Sequence, residues 1–185
     1  MFIQTEQTPN PATLKFIPGR AVLDDGTADF ANAEAAVRSP LARRLFEVEG
    51  VTRVFLGSDF ITVTKEAGID WQVLKPAVLG AIMEHYTSGE PVLGAAAADQ
   101  PAGEPAGDED EIVSQIRELL DTRVRPAVAQ DGGDIIFQRF EDGIVYLHMQ
   151  GSCSGCPSST ATLKMGIENM LRHYVPEVVE VRAAE

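Results

Sequence analysis

The chain has 185 residues, 44% hydrophobic and 23% charged, which is the balance of a folded globular protein rather than a disordered or fibrous one. Its net charge of -13 repels phosphate backbones and its 15 basic residues form no run, so we expect no nucleic-acid partner. No window approaches the roughly 18 uninterrupted apolar residues of a membrane-spanning helix, so we expect no membrane partner.

The N-terminus and the cysteine content bear on the compartment. No basic-then-apolar signal region and no Arg-rich presequence opens the chain. The two cysteines are separated by only two residues, which makes a poor structural disulfide because the closed loop is so small. We therefore expect a cytoplasmic protein with reduced thiols, and the mitochondrial matrix is the alternative if a presequence has been removed.

A low-complexity stretch divides the chain. Residues 91–107 read PVLGAAAADQPAGEPAG, which is rich in Ala, Gly and Pro and lacks any periodicity. This composition predicts a flexible linker between an N-terminal domain, residues 1–90, and a C-terminal domain, residues 108–185.

The first segment begins with strand and cap signals. Strand-like runs occupy residues 2–7 and 13–18, on either side of a Pro-Asn-Pro turn. Ser39 is placed to cap a short helix that starts at Pro40. Its apolar positions at helical spacing are Leu41, Leu45 and Val48.

A hairpin and a longer helix complete this domain. Residues 51–65 alternate between apolar and polar side chains around a Gly-Ser-Asp turn, which is hairpin patterning. Asp70 then caps a predicted helix in which Trp71 is expected to belong to the core. The apolar positions assigned to this helix are Val73, Ala77, Ile82 and Tyr86. The pattern predicts a small α+β domain.

The second segment opens on a helix. Acidic residues at 108–111 suit a helix N-terminus, and we expect the helix to run to about Gln130. Its apolar positions are Ile112, Ile116, Leu119, Leu120 and Val124. The Asp-Gly-Gly-Asp turn at 131–134 follows, because its glycines can adopt the left-handed conformation that closes a helix.

The remaining elements predict the order αββαβ for the C-terminal domain. Two strands, at 135–140 and 144–150, flank a Glu-Asp-Gly turn. A helix begins at Pro157 and a last strand spans 178–181. The apolar face of that helix is expected to comprise Leu163, Ile167, Met170, Leu171 and Tyr174. The fold class is therefore α+β, with two small α/β-layered domains.

Both cysteines lie in one loop, GSCSGCPSS, between the end of a strand and the start of a helix. Unpaired backbone N–H groups at this position favour negative charge, so Cys153 and Cys156 should ionise more readily than a free cysteine and serve as metal ligands. Gly151 and Gly155 allow the backbone to approach the sulfur atoms.

Two thiolates do not complete the four positions of a zinc site or of a typical iron-sulfur cluster, and the chain has no further cysteine. A symmetric dimer supplies the missing ligands most simply, because a two-fold axis near the loop brings both copies of Cys153 and Cys156 around one centre. Such a site would be exposed and labile.

Three segments resemble a known family. The motifs are RPAVAQDGGD at 125–134 and GSCSGCPSSTATLK at 151–164, which resemble the NifU-type C-terminal domain of Nfu iron-sulfur scaffold and carrier proteins. The segment TEQTPNPATLKFIPG at 5–19 resembles the N-terminal domain that accompanies it. The resemblance implies a non-enzymatic carrier in which Cys153 and Cys156 hold a 4Fe-4S cluster between two protomers. It also implies an upstream cluster donor and apo-protein targets.

Other readings of these residues remain. The cysteine pair is also compatible with a dithiol-disulfide oxidoreductase, although few residues follow it for such a fold. A zinc site would need His148 or His173 to fold back onto the loop. Turn chemistry explains Asp131 and Asp134 without a metal. Capping and hydrogen bonding, rather than catalysis, are expected of the flanking serines, which are Ser152, Ser154, Ser158 and Ser159.

Overall fold

The computed structural model forms two compact units, Met1–Gln100 and Pro101–Glu185. Each contains helices and one sheet, so the α+β class is confirmed. The linker at 91–107 and the domain limits next to it stay predictions, because most of that range lies outside the described residues. The described residues are 1–94, 111–154 and 157–184, apart from the side chains of 157–159.

The N-terminal unit is built on five antiparallel strands. They are β1 (Gln4–Gln7), β2 (Thr13–Ile17), β3 (Ala28–Phe30), β4 (Val51–Leu56) and β5 (Ile61–Lys65). Their order in the sheet is β1-β2-β5-β4-β3, and β4 and β5 form the predicted hairpin. Only β3 was not predicted, because it has three residues and lies in a polar stretch without alternation.

Within residues 1–94, two helices and one short turn of 3-10 helix, Ala35–Arg38, accompany this sheet. Helix α1 spans Pro40–Phe46 and helix α2 spans Trp71–Ser88. Ser39 and Asp70 cap them as predicted, each accepting a hydrogen bond from a backbone N–H of the first turn. Sequence signals of this local kind therefore located both helix starts.

The buried side of α2 differs from the prediction. Its buried residues are Leu74, Val78, Ile82 and His85. Val73, which was assigned to the core, is 74% exposed, and Ala77 is exposed too. The helix carries apolar residues on both sides, so periodicity alone could not select the buried one. Val48 lies beyond the end of α1, although it still packs against the core.

Trp71 packs as expected against the core of the N-terminal unit. Its ring lies edge-on to the ring of Phe16, with 6.4 Å between the ring centroids. Its indole N–H donates a hydrogen bond to the carbonyl oxygen of Pro11 at 3.1 Å. The side chain therefore fastens the first turn of α2 to the turn before β2.

Three strands form the sheet of the C-terminal unit. They are β6 (Gly133–Glu141), β7 (Ile144–Gly151) and β8 (Glu180–Ala183). Strands β6 and β7 are an antiparallel hairpin, and β8 pairs in parallel with β7. A parallel pair needs a crossover, which helix α5 (Pro157–Tyr174) provides. The predicted order αββαβ is confirmed, and β8 starts two residues later than predicted.

The helix before this sheet is interrupted. It consists of α3 (Glu111–Leu119), a π-helical turn (Leu120–Val124) and α4 (Arg125–Gln130), where one continuous helix was predicted. Pro126 explains the interruption, because it has no N–H to donate to the carbonyl four residues before it and its ring crowds that carbonyl. The acidic residues 108–110 lie outside the described residues.

Helix α5 places its apolar side on the sheet. Ile167 and Leu171 are buried, and Leu163 and Met170 pack beside them. Tyr174 was assigned to the same side but is 46% exposed at the end of the helix, so that assignment was wrong. None of the helices in the described part of the chain is long and apolar enough to span a bilayer.

Candidate metal centre

The cysteine loop leaves β7 and leads into α5. Gly151 ends the strand with a positive φ of 64°, and Ser152, Cys153 and Ser154 follow. Such a φ is accessible to glycine without strain, so the chain can turn away from the sheet here. Cys156, the second predicted ligand, lies outside the described residues, so only Cys153 of the predicted pair can be placed in the structure.

Hydrogen bonds fasten the start of the loop to the turn that follows α4. The Ser152 hydroxyl donates to the carbonyl oxygen of Asp131 at 2.5 Å. The backbone N–H of Ser152 donates to the carbonyl oxygen of Gly132 at 3.2 Å. On the other side, the Thr160 hydroxyl donates to the carbonyl oxygen of Cys153 at 3.1 Å. The loop backbone at Cys153 is thus held from both sides.

Gly133 leaves the space that the Cys153 side chain needs. A Cβ atom built on Gly133 would lie 2.7 Å from Cys153 Sγ and 2.8 Å from the carbonyl oxygen of Gln150. Both separations are shorter than van der Waals contact, and the second atom belongs to the backbone of the paired strand. Gly133 is therefore required for close approach, whereas the left-handed conformation expected after the helix belongs to Gly132, with φ 80°.

An ion pair fixes the same turn. Arg125 donates from Nε and Nη2 to the two carboxylate oxygens of Asp134, each at 2.8 Å. Asp134 is buried and also accepts from the backbone N–H of Ile135 at 2.8 Å. The hydrogen bonds to Asp134 raise the pKa of Arg125 above its ordinary value. Sequence reasoning assigned Asp134 to turn chemistry and missed this partner.

Cys153 is not the exposed, readily ionised thiol that was expected. The side chain is 6% exposed and belongs to the hydrophobic core of the C-terminal unit. Burial raises the pKa of Cys153 to about 11, and the carboxylates of Asp131 and Asp134 act in the same direction. The Ser152 hydrogen bond opposes this but does not outweigh it. In a single subunit the predicted lowering of its pKa is wrong.

The zinc reading gains no support from the described residues. His148 Nδ1 lies 3.4 Å from the carbonyl oxygen of Ala184, and the ring of His173 packs edge-on against Tyr174. Among residues 1–94, 111–154 and 157–184, no three His, Cys, Asp or Glu side chains are grouped as a metal site. Ser152 has the hydrogen-bonding role expected of it, while the side chains of Ser158 and Ser159 lie outside the description.

Both units match domains of known scaffold proteins. Residues 3–89 match the family described as "Scaffold protein Nfu/NifU N terminal", and residues 116–182 match "NifU-like domain". These matches define the class of the protein: its two domains are those of Nfu/NifU scaffold proteins.

Full-length relatives identify the family more closely. The chain is 57% identical over 180 residues to the human "NFU1 iron-sulfur cluster scaffold homolog, mitochondrial", covering 96% of this chain and 70% of that protein. It is 54% identical over 184 residues to "NifU-like protein 4, mitochondrial" of Arabidopsis thaliana, covering 96% and 64%. The chain belongs to the Nfu/NifU family of scaffold proteins, which confirms the resemblance seen in its motifs.

The names of these relatives also bear on the compartment. Both are called mitochondrial, as is the scaffold homologue of Drosophila sechellia, which is 55% identical over 182 residues and of which this chain covers 64%. The expected cytoplasmic location gains no support from them, and they agree with the alternative of the mitochondrial matrix. The chain spans about two thirds of the length of these proteins.

Proposed function

We propose that this protein is a carrier of iron-sulfur clusters, and that Cys153 and Cys156 of two protomers together hold one 4Fe-4S cluster as cargo. The observation that carries the proposal is the Cys153 loop itself. Its backbone is tied to a rigid turn on one side and to the first part of α5 on the other, in a chain of the Nfu/NifU family. A cluster would bind here through thiolate sulfur.

The number of ligands supports sharing between two subunits. A 4Fe-4S cluster is typically held by four thiolates, and the chain has two cysteines. Within the described residues no cluster of other ligand side chains is available to make up the difference. A second copy of the chain supplies the two further sulfur atoms without any additional protein.

Cluster binding requires the Cys153 side chain to leave its buried position. Its Sγ atom now packs against Gly133, and burial favours the protonated thiol. Iron ligation releases that proton and exposes a side chain that is now buried, so loading costs free energy. A site that binds with such a cost is suited to delivery, which agrees with transfer of the cluster to apo-protein targets after receipt from a donor.

We propose no catalytic role for the cysteines. A dithiol-disulfide oxidoreductase needs a nucleophilic thiolate, and burial, which raises the pKa of Cys153, disfavours that role for this one of the two cysteines. The human and Drosophila relatives are named scaffold homologues, and we propose a non-enzymatic scaffold role for this chain. Their names include the word mitochondrial, and we propose the mitochondrial matrix rather than the cytoplasm as the compartment of this chain.

Anaerobic reconstitution with iron and sulfide tests the proposal. We expect about four irons per dimer, with the absorption of a 4Fe-4S cluster, and transfer of that cluster to an apo-acceptor. Cys153→Ala and Cys156→Ala should each take up at most background iron, measured per mole of chain with a native circular dichroism spectrum. A wild-type chain that remains free of iron, or a loaded species that is a single subunit, would contradict the proposal.

A further inference from the structure

The outward side of α5 has an unusual surface for this chain. Ala161, Thr162, Met165 and Asn169 are exposed there, and we refer to these four residues as the Met165 face. At 100° per residue they lie on the side of the helix opposite the buried Ile167. Met165 is the most prominent of them, with 65% of its surface exposed.

The four residues of the Met165 face carry no charge, and the exposed Arg172 lies at the C-terminal end of the same side of the helix. Other helical surfaces of the same unit expose carboxylates. The solvent side of the helical segments before β6 exposes Glu118, Asp121 and Arg123. On α5 itself, Lys164 and Glu168 point toward the β8 side, where Lys164 pairs with Glu180 at 3.7 Å and Glu168 accepts from the Val181 N–H at 3.2 Å. Among the described residues, the side of α5 that bears the Met165 face thus exposes no carboxylate, and its charged residue is Arg172.

This face begins beside the cysteine loop. Helix α5 starts at Pro157, immediately after Cys156 in sequence, and Thr160 in its first turn is hydrogen bonded to Cys153. Eight residues of helix separate Pro157 from Met165, a distance of about 12 Å along the axis. A protein docked on the Met165 face would therefore lie within about three helical turns of the cysteine loop.

We propose that the Met165 face is the surface on which a second copy of this chain docks when the two copies share a cluster. The inference rests on the function proposed above, because the ligand set of one chain is incomplete. Residues 108–185 carry 7 Lys or Arg and 14 Asp or Glu, so two such domains repel each other over most of their surfaces. A surface free of carboxylates next to the shared site lets them approach.

A charge placed at the centre of this face tests the proposal in the full-length chain. In a symmetric dimer Met165→Glu sets two carboxylates against each other, so we expect the dissociation constant of the cluster-loaded dimer to rise about tenfold or more. Dimer mass after reconstitution would be followed by native mass spectrometry and by light scattering at several concentrations. Val179→Glu, at an equally exposed apolar position of the same unit, is the matched control and should leave dimerisation unchanged.

Two variants of opposite charge at Met165 test whether this residue contacts the second copy of the chain. Met165→Glu and Met165→Lys chains should each dimerise poorly when loaded alone, and their mixture should recover the dimer as a heterodimer. Normal dimerisation of Met165→Glu, or failure of the mixture to recover, would overturn the interface and leave the proposed function standing. A normal loaded dimer combined with weaker transfer to an apo-acceptor would also overturn it, because the face would then serve a target protein. A wild-type chain without iron would overturn both proposals.

Discussion

The two units bury their polar side chains in different ways. In the N-terminal unit these residues are scattered over turns, strands and helices, and they are Asn10, Thr13, Lys15, Ser39, Thr62 and His85. In the described part of the C-terminal unit the buried polar residues are Asp134 and Ser152, and both lie against the same turn beneath Cys153. The buried polar residues of the N-terminal unit are therefore spread over the domain, whereas those described in the C-terminal unit lie together at the cysteine loop.

This difference indicates which contacts serve the cargo site. A buried polar group costs free energy unless it is hydrogen bonded, so an arrangement of several such groups at one place fixes local geometry strongly. Asp134 holds the turn through Arg125, and Ser152 ties the cysteine loop to that turn. Changes at this turn should therefore disturb both stability and cluster binding, whereas changes in the N-terminal unit should disturb stability alone.

Gly133→Ala is expected to cause the largest loss of stability at the turn next to Cys153. The added methyl group would overlap Cys153 Sγ and the carbonyl oxygen of Gln150, and the second atom cannot move without shifting the strand. We expect the free energy of unfolding to fall by about 3 kcal/mol, at the upper end of typical overpacking costs. Urea denaturation followed by circular dichroism would measure this loss.

A second readout shows whether Gly133→Ala also displaces the ligand. In a Cys156→Ala background, Cys153 is the remaining thiol, and its burial makes alkylation slow in the parent chain. The methyl group should push Cys153 outward, so alkylation under native conditions should become several-fold faster. An unchanged alkylation rate together with unchanged stability would show that Gly133 does not shape the site.

A smaller effect is expected when the ion pair of the turn is weakened. Asp134→Asn keeps the size of the side chain but removes the charge that receives two hydrogen bonds from Arg125. We expect a loss of about 1–3 kcal/mol in the free energy of unfolding, since the guanidinium can partly turn to water. Arg125→Lys, which keeps the charge without the two-pronged geometry, should lose less. Equal stability of all three proteins in urea would contradict this role.

Local sequence signals predicted much of the fold. Some signals act over only three or four residues, so they can be recognised without the tertiary structure. They are the caps at Ser39 and Asp70, the hairpin turns and the proline that begins α5. The cysteine motif predicts the candidate site from the same kind of local signal, and that site stays a prediction. What could not be predicted depends on distant residues: the Arg125 partner of Asp134, and the choice of the buried side of α2.

Cys153 illustrates the limit most clearly. A position before a helix N-terminus predicts a thiol of lowered pKa, because the local dipoles favour the thiolate. The folded chain turns this side chain into the core, and burial then outweighs the local field. Burial is set by how β6, β7 and α5 pack together, so no motif of a few residues could reveal it.

The stability of the N-terminal unit should depend on pH through His85. His85 is fully buried, and neither ring nitrogen has a hydrogen-bond partner among the described residues. Burial lowers its pKa below 6.5, with the charge of Arg44 acting in the same direction and that of Glu90 opposing it. As the pH falls below 6.5 the unfolded chain binds the proton first, so stability present above that pH is progressively lost.

This loss can be followed through Trp71, which is the only tryptophan and lies in the same unit. We expect the urea midpoint of the fluorescence transition to fall between pH 7.5 and pH 5.5. His85→Leu removes the titrating group at similar volume and should make the midpoint less dependent on pH. A wild-type midpoint that stays constant, or a variant with the same slope, would contradict the assignment to His85.

The smallest expected effect is a gain in stability, in contrast to the loss expected for Gly133→Ala. A Cβ atom built on Gly80 in α2 or on Gly166 in α5 meets no heavy atom within 4 Å beyond the neighbouring backbone of its own helix. Alanine restricts the unfolded chain more than glycine, so each substitution should raise the stability of its unit by about 0.5–1 kcal/mol. Gly166→Ala and Gly133→Ala add the same methyl group to the same unit, so opposite shifts in the urea midpoint would isolate the effect of space at Cys153.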